Sequence, residues 1–109
     1  MMKIYIVGDV NSSMVREVTN LILHSGGRVE LYVYTNSCLR YMEVLREALL
    51  NNISAGIVVY ERKLKDIVAD VDGEVSKDTV ILIGDNVPPE IAKTLQKVNA
   101  RLVRCYSNG

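Results

Sequence analysis

Carboxylates recur in this chain where apolar runs end. The runs Ile4-Tyr5-Ile6-Val7 and Val80-Ile81-Leu82-Ile83 both pass into a Gly-Asp pair, Gly8-Asp9 and Gly84-Asp85, and a third run, Gly56-Ile57-Val58-Val59-Tyr60, ends in Glu61. Three carboxylates held together repel one another unless a hard divalent cation takes their oxygens, so Asp9, Glu61 and Asp85 at one place would form a Mg²⁺ site. Ser12 and Ser13 follow Asp9, and Asn86 follows Asp85. With the N-terminus of a helix beside them, these six residues could receive a phosphate or nucleotide. The competing role is structural: Asp and Asn after parallel strands cap the next helix and interact favourably with its dipole, and capping is the more frequent use of such residues.

The elements that would position these groups follow from periodicity. Asn11-Ser12-Ser13 supplies capping side chains, and Met14, Val15, Val18, Leu21 and Ile22 recur at helical spacing until Gly26-Gly27. Residues 28–34 alternate, with Val29, Leu31 and Val33 on one face and Glu30, Tyr32 and Tyr34 on the other, which predicts a half-exposed edge strand. A second helix is expected from Ser37 to Asn51-Asn52, carrying Met42, Leu45, Ala48 and Leu49, and a third on Leu64, Ile67, Val68 and Val71, ended by Asp72-Gly73. Pro88-Pro89 opens a fourth, and residues 101–106 read as a second edge strand in which Arg101 and Arg104 discourage further pairing.

The resulting order, βαβαβαβαβ, predicts a single Rossmann-like α/β domain over residues 1–109 with three layers and a five-stranded parallel sheet. Strands two and five look half-polar and strands one, three and four apolar throughout. That pattern favours the flavodoxin-like strand order 2-1-3-4-5, which puts the half-polar strands at the edges, over 3-2-1-4-5, which exposes strand three. In the favoured order strands one, three and four are neighbours, and Asp9, Glu61 and Asp85 converge at the carboxyl edge, where open α/β sheets bind ligands.

Other features narrow the chemistry. In 109 residues, thirteen basic and thirteen acidic side chains cancel, so no overall field favours nucleic acid. Cys38 and Cys105 have no zinc or redox spacing, which suits a reducing cytoplasm, and no apolar stretch is long enough for membrane insertion. Neither Gly8 nor Gly84 belongs to a GxGxxG or GxxxxGK[ST] cradle, so both read as tight-turn glycines. His24 falls in the last turn of helix one, far from the carboxyl edge, where a cation suits the dipole. Cys38 at the start of helix two reads as a small core or boundary residue, and Arg62, Lys63 and Lys65 as a solvated helix face. Tyr32 and Tyr34 pack beneath a helix or mark an edge used by a partner.

The central segment, Leu45-Arg46-Glu47-Ala48-Leu49-Leu50-Asn51-Asn52-Ile53-Ser54-Ala55-Gly56-Ile57-Val58-Val59-Tyr60-Glu61-Arg62-Lys63-Leu64-Lys65-Asp66-Ile67-Val68, resembles the central part of the small rotor-stalk subunit of archaeal and vacuolar-type rotary ATPases, with Gly8-Asp9 and Glu61 at matching positions. The resemblance implies a non-enzymatic protein that docks on the coiled coil of a neighbouring stalk component. The functional expectation is therefore a small cytoplasmic module acting by protein association, with a protein partner or as a homo-oligomer. The alternative is a nucleotide- or phosphate-binding domain, able to carry Mg-dependent phosphate-ester chemistry at the carboxyl-edge loops of a homodimer.

Overall fold

The computed structural model describes residues 2–25, 28–34, 57–74 and 78–107. Five strands, β1 (Met2–Val7), β2 (Val29–Tyr34), β3 (Ile57–Arg62), β4 (Thr79–Ile83) and β5 (Arg101–Arg104), form one all-parallel sheet. Helix α1 (Ser12–Ser25) links β1 to β2; a 3₁₀ turn (Leu64–Asp66) and α2 (Ile67–Glu74) lie between β3 and β4; α3 (Pro89–Gln96) links β4 to β5. The helix expected from Ser37 to Asn51-Asn52, with Cys38, lies outside the described residues.

Two apolar layers flank the sheet. On one face Ile4, Ile6, Leu31, Val33 and Leu82 meet Met14, Val18, Leu21 and Ile22 of α1, the helical stripe expected from their spacing. On the other, Tyr5, Val7, Tyr34 and Ile81 pack with Ile67 and Val71 of α2 and Leu95 of α3. Each fully buried Ile, Leu or Val contributes about 1.5–3 kcal/mol relative to exposure, so both helical layers are needed to close the sheet. Pro88 precedes α3 and Pro89 opens it, where a missing N–H costs nothing. Among the described residues no helix is long and apolar enough to cross a membrane.

The strand order is β3-β2-β1-β4-β5, which corrects the expected 2-1-3-4-5. Strand β2 is not an edge but an inner strand, with Tyr32 and Tyr34 buried; β3, expected inside, is the edge, with Val58 49% and Tyr60 37% exposed. The cause is the dual nature of tyrosine, whose ring is apolar and whose hydroxyl needs only one partner. Tyrosines at 32 and 34 give a covered strand the alternation of a half-exposed one. The apolar run of β3 is covered on one face only: Ile57 and Val59 pack against the α1-side core, whereas Val58 and Tyr60 lie on the opposite face. Strand β5 is the other edge, as expected, and its two arginines are exposed.

Candidate functional site at the strand-order switch

In this order the chain leaves β1 toward β2 on one side and returns to β4 on the other, so the switch point lies between β1 and β4. The two Gly-Asp pairs meet there. Gly84 N–H donates to Val7 O at 2.8 Å, Asp9 N–H donates to Asp85 O at 2.9 Å, and Asp9 and Asp85 form an isolated antiparallel bridge beyond the parallel strands. The glycines are dictated by this crossing. Gly8 has φ +94°, and a Cβ there would stand 2.6 Å from Val87 Cγ2 and 2.7 Å from Asp85 O. A Cβ on Gly84 would run into the carbonyl oxygen of Asp9 and the end of Met14.

Asn11 ties the crossing to the rest of the fold. Its Oδ1 accepts from Met14 N–H at 2.9 Å, the N-cap of α1 expected from the sequence, while its Nδ2 donates to Cys105 O at 2.7 Å and to Asp85 Oδ2 at 3.2 Å. One side chain thus joins the starts and ends of four elements: α1 follows it, the β1 turn carries it, and it reaches the ends of β4 and β5. Asp85 Oδ2 also accepts from the Ser107 backbone N–H at 3.0 Å. Hydrogen bonds from Ser107, its side chain first and its backbone second, with help from Asn11, outweigh the opposing effect of desolvation and hold the Asp85 carboxyl below its ordinary value. Asn86, in the left-handed region at φ 61°, donates from Nδ2 to Asp9 Oδ2. Positive φ is tolerated best by Gly and Asn, which accounts for the residue type after the Gly-Asp.

The structure therefore brings together Asp9, Asp85 and Asn86, with Ser12 and Ser13 as the first two residues of α1. Glu61 does not join them. It lies near the end of β3, so β2 stands between it and β1, and it is about 10 Å from the β1 axis at the usual strand spacing. The expected convergence of Asp9, Glu61 and Asp85 requires strands one, three and four to be neighbours, and the observed order removes that premise. Among the described residues no group of three or more His, Cys, Asp or Glu is placed to hold a metal ion. No family model, curated protein or solved structure matches this chain.

A second polar cluster, unforeseen in the sequence, forms at the carboxyl end of β3. Arg62 Nη1 lies 3.2 Å from Asp70 Oδ2, the same oxygen that accepts from the Tyr34 hydroxyl at 2.7 Å. The Arg62 guanidinium also stands over the rings of Tyr32, 5.0 Å, and Tyr60, 5.8 Å. Behind it a tyrosine row runs in register across three strands, Tyr5 beside Tyr32 beside Tyr60. The rings stack at 4.8 Å and 4.9 Å between centroids, and Tyr34 stacks on Tyr5 at 5.9 Å. An open depression of about 540 Å³ beside Arg62 is lined by Lys63, Lys65, Asp66 and Asp70 among others. Cations and carboxylates alternate around it, so it presents no net field for either kind of ion. Of the two readings open for Tyr32 and Tyr34 in the sequence, packing beneath a helix is the one observed; i, i+2 tyrosines on a strand also occur on exposed sheet faces, so the pattern alone does not choose between them.

Proposed function

We propose that this chain is a small α/β module that works by protein association. The observation that supports the reading is the contrast between its polar and apolar ends: the switch-point polar groups are engaged by the chain's own donors, whereas β3 is an edge strand with exposed Val58 and Tyr60. An exposed edge with an apolar face is the kind of surface to which another chain adds. The more specific form, a component similar to the small rotor-stalk subunit of archaeal and vacuolar-type ATPases that docks on a coiled coil, is proposed on the resemblance of residues 45–68, of which 45–56 lie outside the described residues. Native mass spectrometry of the protein from its source tests both levels. A stable protein complex supports association; a lone chain carrying a nucleotide-sized adduct opposes it.

A second reading has one observation in its favour: Asp9, Asp85, Asn86, Ser12 and Ser13 stand at the switch point, the position where open α/β sheets take phosphate ligands. Here Asp9 and Asp85 would hold Mg²⁺ without Glu61, and the serines would contact phosphate. Thermal stabilisation by Mg²⁺ with a nucleotide, lost in Asp9→Asn, is its expected signature; indifference to both opposes it.

A further inference from the structure

The two edges of the sheet are built differently. Strand β5 is four residues long and begins and ends in exposed arginines, which is a common way to discourage pairing. Strand β3 is six residues long; its first four, Ile57-Val58-Val59-Tyr60, carry no charge, proline or glycine, and it pairs along its whole length with β2 without a bulge. It also terminates the tyrosine row. Tyr5 and Tyr32 are covered, and Tyr60 presents the open end of the stack beside Val58.

We infer that the occupant of this edge is a second copy of the same chain, joined through antiparallel β3–β3 pairing about a two-fold axis centred on Tyr60; the inference rests on the association reading. A two-fold normal to the sheet keeps like faces together, and an isologous contact requires a self-complementary surface. Centring on Tyr60 sets Tyr60 against Tyr60 of the second copy, which extends the stack from three in-register rings to six. Cross-strand aromatic pairs of this kind stabilise antiparallel junctions. The same register sets Arg62 of one copy opposite Val58 of the other. Arg62 keeps its own Asp70 and Tyr32 as partners, so its charge is met within its own copy and the residue facing it across the junction is the uncharged Val58. Glu61 then falls opposite Val59 and Lys63 opposite Ile57, with no like charges paired. Sliding the axis to Glu61 would oppose the two Glu61 side chains directly, which disfavours that register. The absence of opposed like charges and the continuing stack thus choose the same alignment.

Light scattering of the full chain across a concentration series tests this. The expected result is a dimer that Tyr60→Arg weakens by about tenfold or more, as like charges opposed at an interface do. Tyr60→Phe should keep the dimer, and Leu23→Arg, on an exposed apolar residue of α1, should leave it unchanged. Tyr60→Cys in a Cys38→Ser background should cross-link copy to copy on mild oxidation, because directly opposed residues in an antiparallel pair have disulfide-compatible spacing. Circular dichroism confirms that each variant is folded. A monomer at every concentration, a dimer indifferent to Tyr60→Arg, or one broken by Leu23→Arg overturns the inference. If the chain is monomeric yet occurs in a complex with a different protein in native mass spectrometry, the inference fails and the association reading stands. A monomer with a bound nucleotide removes both.

Discussion

The carboxyl edge between β1 and β4 and the edge strand β3 are both places where an α/β sheet can meet something else, and they are built on opposite principles. At the switch point, Asp85, Asn11, Asn86 and the Ser107 backbone are held in hydrogen bonds within the chain, and two glycines let the backbones cross at close range. At β3, stacked rings and an arginine lead outward to side chains that the fold leaves open. Polar residues at a strand end are therefore not by themselves evidence of a ligand site, because a crossing of this tightness consumes them. An apolar run is not by itself evidence of a central strand, because an edge strand that packs one face on the core can carry the same composition.

Substitutions should separate the two regions. The largest effect on folding is expected at the crossing. Gly84→Ala places a methyl group against the Asp9 carbonyl and should cost about 3 kcal/mol, the upper end of overpacking costs, read as a lowered midpoint in urea. Asn11→Ala removes the α1 cap and the ties to Asp85 and Cys105, and a loss of about 2 kcal/mol is expected, the upper end for a cap, by the same measurement. Tyr34→Phe deletes one donor to Asp70 while Arg62 remains, and about 1 kcal/mol is expected, the usual worth of a hydrogen bond. At β3 the folding effect should be smallest: Val58→Thr, on an exposed position, should change monomer stability by about 0.5 kcal/mol or less. A large folding effect at Val58 with a small one at Gly84 would invert the comparison.

Acid sharpens the same contrast. The Asp85 carboxyl is depressed in the folded chain, so its contribution is complete above the unfolded value near 3.8 and is lost as pH falls through the lower folded value. Stability below pH 3.8 should therefore decline less steeply in Asp85→Asn than in the parent, measured by thermal melts across the acid range. The Cys105 thiol is raised by burial first and by Glu17 second, so it should react slowly with alkylating reagents until the chain unfolds.

Much of the fold was legible in the residues. The α1 stripe, the Asn11 cap, the proline start of α3 and the charged β5 edge all follow from local patterns that tertiary packing did not override. The strand order was not legible, because it depends on whether Tyr32, Tyr34 and Tyr60 count as covered or exposed, and a tyrosine ring suits either. At the candidate site, Asp9 and Asp85 can be paired from the repeated Gly-Asp phrase. Asn86 is marked by its place after Gly84-Asp85, but its part as a donor to Asp9 depends on backbone geometry at the crossing, as does the part of Ser107, which no pattern marks. Glu61 goes wherever its strand goes, so an error in the order of β3 carries the carboxylate with it.

Amide hydrogen exchange at low and high protein concentration tests most directly the claim that association belongs to β3 while the switch point is closed by the chain's own groups. The account predicts that exchange in Ile57–Arg62 slows as concentration rises, while exchange in Arg101–Arg104 and at residues 9–11 and 84–86 does not change. Exchange in β3 that is indifferent to concentration, with residues 9–11 and 84–86 protected instead on adding Mg²⁺ and a nucleotide, would contradict it.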